Sequence, residues 1–177
     1  VGSEMCIRDR HNGVMNSTSE PNVEAARWAP EQSAPHQAVL QRLQALLPAA
    51  SVITDHAGLR PYETDGLTAI REMPWVVVLP ETEAQVAEVV RCCAQHGVPV
   101  IARGAGTGLS GGARPHAQGV VLGLSKMSAI EKIDIENRVA IVQPGVRNLA
   151  ISQAAQQYGL YYACLLYTSP SPRDSIR

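Results

Sequence analysis

The chain has 177 residues, 45% of them hydrophobic, enough apolar material for one domain or a domain and a half, which excludes disorder as its main state. Its 15 Lys and Arg nearly balance 16 Asp and Glu, so there is no excess positive field to hold a phosphate backbone without sequence preference, and a general nucleic-acid binder is excluded. No apolar run approaches the roughly 20 residues that span a bilayer and no signal-peptide pattern occurs, so the expectation is a soluble, cytoplasmic chain without a transmembrane segment.

In chain order, the two ends stand apart. Val1 to Arg10 and Cys164 to Arg177 follow neither a helical nor a strand period. A coding sequence for Val1 to Asp9 can be written whose complementary strand, in a shifted frame, gives Cys164 to Pro172. Such an inverted repeat is similar to translated sequencing adapter, so residues 1–10 and 164–177 are expected to be adapter-derived, which the nucleotide sequence tests. Residues 11–35, polar with scattered Ser, Pro and Glu, are expected to form a flexible leader.

Residues 36–72 read as an N-terminal helix and loop. Val39, Leu40, Leu43, Leu46 and Leu47, spaced at three and four, predict a short amphipathic helix over 36–47 stopped by Pro48, and turns follow from Ser51 to Glu72 around Pro61 and Gly66. Trp75 to Leu79, closed by Pro80, predicts a strand buried on both faces. Thr82 to His96 predicts a helix, with a Thr82/Gln85 capping box, an apolar face of Val86, Val89, Val90 and Cys93, and Gly97 as its stop. Val98 to Ala102 completes a βαβ unit. Beyond a glycine-rich loop, strands are predicted over Gly119 to Leu124, Ile130 to Ile135 and Val139 to Val142. Glu136-Asn137-Arg138 signals a hairpin, so the later strands should be antiparallel, and a last helix spans Asn148 to Tyr158, ended by Gly159. The class is α+β with a mixed sheet.

Five glycines, Gly104, Gly106, Gly108, Gly111 and Gly112, fall within the ten residues that run from Arg103 through Ala105, Thr107, Leu109 and Ser110, directly after a strand. Glycine is kept where the backbone takes positive φ or approaches a ligand without a Cβ, and successive N–H groups in such a loop form an anion-binding nest. A P-loop would need a terminal Gly-Lys-Ser/Thr, and this loop has no lysine. Gly106, Gly108 and Gly111 match G-x-G-x-x-G, but that motif must open a helix, whereas Pro115 and Gly119 follow here with no 3.6 period. The pattern predicts a strand-to-strand loop that holds a diphosphate by its own backbone, with Arg103 at its mouth and the hydroxyls of Thr107 and Ser110 as extra donors.

Pro80 at a strand end, the βαβ unit, the glycine loop and the run Val142-Gln-Pro-Gly-Val146 together resemble the N-terminal flavin domain of the vanillyl-alcohol oxidase (PCMH-type) flavoproteins. Within that family, Pro61 to Leu67, the loop, Val142 to Ser152 and Leu160 to Ala163 are similar to the branch of FAD-binding glycolate oxidase D subunits, over about Leu40 to Ala163. The resemblance implies an incomplete PCMH-type domain over 73–163 and a two-electron oxidation, in which flavin takes hydride from the α-carbon of a 2-hydroxy acid, with glycolate to glyoxylate the leading case. Carried over by position, Arg103 to Ser110 would wrap the FAD diphosphate, with Gly111 and Gly112 letting the chain turn away. Pro80 would border the adenosine end, and Pro144, Gly145 and Val146 would line the cofactor. Covalent relatives often carry a histidine where this chain has Thr107, so FAD is expected to be non-covalent.

The resemblance also implies partner subunits, a second flavin subunit and an iron-sulfur subunit, and through them a peripheral place at the inner membrane. It puts the substrate domain and the catalytic base downstream of Ala163, so the chain by itself is expected to be inactive. FAD-linked D-lactate or D-2-hydroxyglutarate oxidation is the nearest alternative, and a non-catalytic nucleotide-binding module is an alternative of another class.

The remaining reactive residues read as structural. The cysteines, Cys6, Cys92, Cys93 and Cys164, show no CxxC spacing, and the adjacent pair suits a helix core, so no metal site is expected. His11, His36, His56, His96 and His116 show no ligand spacing, although His116 is close enough to the loop to touch flavin. Glu131, Asp134 and Glu136 read as a solvated face. Tyr161 and Tyr162 lead either toward the flavin or into the core.

Overall fold

A computed structural model describes residues 33–162; the expected adapter segments and the leader as far as residue 32 lie outside the described residues. Three valines set the centre of the fold. Val76, Val77 and Val78 have no exposed surface, and they form β2 (Val76–Val78). On one side β2 pairs antiparallel with the short edge strand β1 (Val52–Ile53); on the other it pairs parallel with β4 (Val120–Gly123), which in turn pairs parallel with β3 (Val100–Arg103). The sheet order is β1-β2-β4-β3.

Successive strand residues point to opposite faces. Val76 and Val78 meet Val39 and Leu43 of α1 (Ala34–Leu46) and Val89 and Cys93 of α3 (Glu83–Gln95), while Val77 turns the other way to Leu59 and Val121. That second face is covered by the segment around α2 (His56–Leu59), including Tyr62 and Met73. Each fully buried valine contributes about 1.5–3 kcal/mol relative to exposure, so β2 is a principal anchor of both layers.

The capping box forms as expected: the Gln85 N–H donates to Thr82 Oγ1 at 3.3 Å, and the Thr82 N–H donates to Gln85 Oε1 at 3.2 Å. Gly97, at φ +66, ends the helix. The expected apolar face is rotated, however. Cys92 is 7% exposed and Val90 is 44% exposed. Val90 lies about 100° around the helix from Val89, whereas Cys92 lies about 60° from it on the other side, so a face centred on Val89 turns Val90 to solvent and brings Cys92 in.

Two further differences concern strands. The stretch from Ser51 to Glu72, expected to hold turns and a loop and no long element, also contains the short β1 and α2 beside a 3-10 turn at Arg60–Tyr62; an edge strand of two residues is too short to show a period. The strand after the glycine loop, β4, runs parallel and inserts between β2 and β3, so the antiparallel expectation applies only to the hairpin of β5 (Ile130–Asp134) and β6 (Val139–Val142). The hairpin turn is tied by the Asn137 N–H to Asp134 Oδ1 at 3.0 Å and passes through Arg138 at φ 53. The final helix, α4 (Asn148–Gln156), ends short of Tyr158, and Gly159 follows at φ +70.

Candidate functional site

Arg103 and Gly123 are register partners at the carboxyl ends of the parallel strands β3 and β4, and the Leu124 N–H donates to the Arg103 carbonyl at 3.0 Å. The start of the glycine loop and the turn after β4 therefore leave the sheet side by side. Carboxyl ends of strands are where open α/β sheets place ligands. The third wall is the run Pro144 to Val146, seated on that turn by the Gly145 N–H to the Met127 carbonyl at 2.8 Å. Gly145 is needed there, because a Cβ would fall against the carbonyls of Leu124 and Met127.

These three segments enclose a cleft of about 580 Å³, lined by Gly104 and Ala105, by Ser125, by Pro144, Gly145 and Val146, and by Arg147 and Asn148 where α4 begins. Its lining contains no histidine, cysteine or carboxylate. The arrangement can bind and orient an anion; it offers no side chain suited to moving a proton near neutral pH.

From the cleft the loop runs outward, and Leu109 at its tip is 73% exposed. Among the described residues, no N–H from Gly104 to Ala113 donates to a protein acceptor; the next to do so is Arg114, to the Gly111 carbonyl at 3.2 Å. At Gly104, Gly108, Gly111 and Gly112 a Cβ would meet nothing within 4 Å, so these glycines leave open space beside unpaired donors. That combination suits a diphosphate: many N–H groups, no side-chain bulk and an adjoining cleft. Thr107 and Ser110 are exposed and add hydroxyls to the same loop.

Two expected cofactor residues are placed differently. Arg103, expected at the mouth of the loop, is 8% exposed and turned inward: Nη1 donates to the Thr64 carbonyl at 2.7 Å, Nη2 to the Pro61 carbonyl at 3.4 Å, and Cζ lies 5.4 Å from the Tyr62 ring centroid. The guanidinium turns inward from the end of the edge strand β3 onto these carbonyls, and their hydrogen bonds offset its desolvation. Pro80 is fully buried after β2 and presents no surface to a ligand. Of the other expected residues, Gly104, Ala105, Pro144, Gly145 and Val146 share the cleft, while Gly106 to Gly112 lie along the exposed loop.

The sequence reading missed Ser125, Arg147 and Asn148. The signal for the last two was present, because a helix predicted to begin at Asn148, directly after Pro-Gly-Val, aims unpaired N–H groups at whatever the run lines. His116, considered for flavin contact, instead accepts the Gln118 N–H at 3.1 Å and does not line the cleft. Tyr161 and Tyr162 line a separate groove of about 310 Å³ between the hairpin and α4.

Groups with shifted acidity also lie elsewhere. Burial pushes the Cys93 thiol up to about 12 and raises Cys92, both inside the α1/α3 layer. The Asn137 backbone N–H and then the Lys132 ammonium hold Asp134 down at about 2. Among the described residues no group of three or more His, Cys, Asp or Glu is placed to hold a metal ion.

The profile of an FAD binding domain matches residues 74–171, from just before β2 to beyond the described residues. The chain belongs to this FAD-binding family, and its fold is of the PCMH type: it superposes on p-cresol methylhydroxylase with substrate bound at a TM-score of 0.65 and 30% identity, over 73% of this chain and 26% of that one. Among curated proteins it is 47% identical over 138 residues to the glycolate oxidase subunit GlcD of Escherichia coli, covering 78% of this chain and 26% of that protein. It is also 41% identical over 101 residues to D-lactate dehydrogenase of Archaeoglobus fulgidus, covering 56% of this chain and 23% of that protein. The chain thus spans about a quarter of the length of these relatives.

Proposed function

We propose that the chain is the FAD-diphosphate-binding part of a 2-hydroxy-acid oxidoreductase, with oxidation of glycolate to glyoxylate as its leading reaction. The observation that carries this reading is the unbroken run of N–H groups from Gly104 to Ala113 without a protein acceptor among the described residues, opening beside the cleft. Those groups bind the diphosphate by direct donation, with the Thr107 and Ser110 hydroxyls beside them. Pro144 to Val146 fix the cofactor laterally, and Arg147 with the first N–H groups of α4 adds positive potential. When bound, FAD supplies the acceptor for the hydride that leaves the α-carbon of the 2-hydroxy acid, which becomes a 2-oxo acid.

FAD is held without a covalent bond, because Thr107 stands where covalent relatives carry a histidine; acid precipitation that leaves flavin on the protein would contradict this. The likeness to the PCMH-type family supports placing the proton-accepting residue in a substrate domain after Ala163. The likeness to the GlcD subunit supports assembly with a second flavin subunit and an iron-sulfur subunit. Among the described residues no helix is long and apolar enough to cross a membrane, which suits a cytoplasmic or peripheral place reached through those partners.

The similarity to D-lactate dehydrogenase favours one second reading, FAD-linked oxidation of D-lactate or D-2-hydroxyglutarate by the same cradle. Dye reduction by the protein expressed from its complete gene separates these. Turnover with glycolate well above that with D-lactate and D-2-hydroxyglutarate is expected; the reverse order would assign the second reading, and no turnover with any of the three would leave a nucleotide-binding module. The 177-residue chain alone is expected to reduce no dye.

A further inference from the structure

We infer a division of labour between two arginines: Arg103 positions the glycine loop and does not contact the diphosphate, while Arg147 supplies the cation that faces it. This rests on the FAD reading above and deepens it. Three observations place Arg103 beneath the loop. Its guanidinium is forked across the carbonyls of Pro61 and Thr64 and lies over the Tyr62 ring. Gly106, at φ +71, crosses that guanidinium so closely that any Cβ would fall on it. Gly66, on the same segment, lies under the loop, where a Cβ would come 2.6 Å from the Thr107 carbonyl oxygen and 2.8 Å from that of Gly108.

The path from Gly104 to Gly108 is therefore set from below by the 61–66 segment, with Arg103 as the strut. The strut is closed inside the protein: Arg103 and Asp65 are both buried, and one Asp65 oxygen accepts the Leu67 N–H at 2.9 Å. A guanidinium committed to two carbonyls and an aromatic face has little reach toward a ligand. Arg147 is the opposite case. It is exposed, lines the cleft, and has no ion pair among the described residues.

The test is FAD titration into apoprotein made from the complete gene, followed by flavin fluorescence over a range of salt concentrations, for wild type, Arg103→Lys, Gly66→Ala and Arg147→Gln. Lysine keeps the charge and loses the fork, so Arg103→Lys should weaken FAD binding by about tenfold or more with the salt dependence unchanged. Gly66→Ala, which alters no charge, should do the same, and both should shift the visible band of bound flavin. Arg147→Gln should flatten the salt dependence and leave that band in place. The Arg147 arm stands even where an Arg103 variant fails to fold. Arg103→Lys that binds FAD like wild type, or an Arg147→Gln protein whose salt dependence is unchanged, would overturn the assignment while leaving the FAD reading intact. Wild-type apoprotein that takes up no FAD would sink both.

Discussion

The glycines of the loop separate two roles that a motif cannot distinguish. Gly106 and Gly145 are glycine because protein atoms occupy the place of a Cβ, whereas at Gly108 and Gly112 that place is open. The first pair serves the fold, and the second leaves the space that the proposed diphosphate would use. Gly108→Ala should accordingly leave apoprotein stability within about 0.5 kcal/mol of wild type while weakening FAD binding severalfold, because the methyl enters the ligand's space. Thermal unfolding beside FAD titration checks this, and a destabilised apoprotein with unchanged affinity would contradict it. The same scale shows where residue reading failed. A cation beside a glycine loop suggests an anion contact, but the carbonyls that capture Arg103 lie at Pro61 and Thr64, some 40 residues earlier in the chain. Nothing local to the motif reports them.

At the level of elements, what depends on near neighbours was legible and what depends on strand order was not. The Thr82/Gln85 capping box, the Gly97 stop and the hairpin at 136–138 each rest on a few consecutive residues, and each is present. Placing β4 between β2 and β3 is a decision of the whole sheet. The hairpin also carries a pH dependence. Its Asp134 carboxylate, held by the Asn137 N–H and by Lys132, stays ionised down to about 2, below its ordinary 3.8. A depressed acid stabilises the folded form fully above its unfolded value, and the contribution is lost as pH falls from about 4 through about 2. Wild type should lose stability over that window more steeply than Asp134→Asn, as followed by acid titration of the folded signal; parallel curves would show that the turn does not depend on this charge.

For the whole molecule, the sequence motifs marked two walls of the site separately, the glycine loop and the Pro144 run, and the fold brings them together with the turn after β4. The loop, the turn after β4 and the Pro144 run lie up to about 40 residues apart, and they meet because Arg103 and Gly123 end paired strands while Gly145 bonds back to Met127. Ser125 becomes visible as a site residue only through that closure. The chemistry was less accessible to sequence reading than the binding, since the cleft lining carries no acid or base.

The central claim is that the loop and cleft recognise a diphosphate, and competition binding to apoprotein from the complete gene tests it most directly. FAD should bind with ADP as a competitor, and riboflavin, which has the same ring and no phosphate, should bind at least about a hundredfold more weakly. Riboflavin binding as tightly as FAD, or ADP failing to compete, would contradict the account.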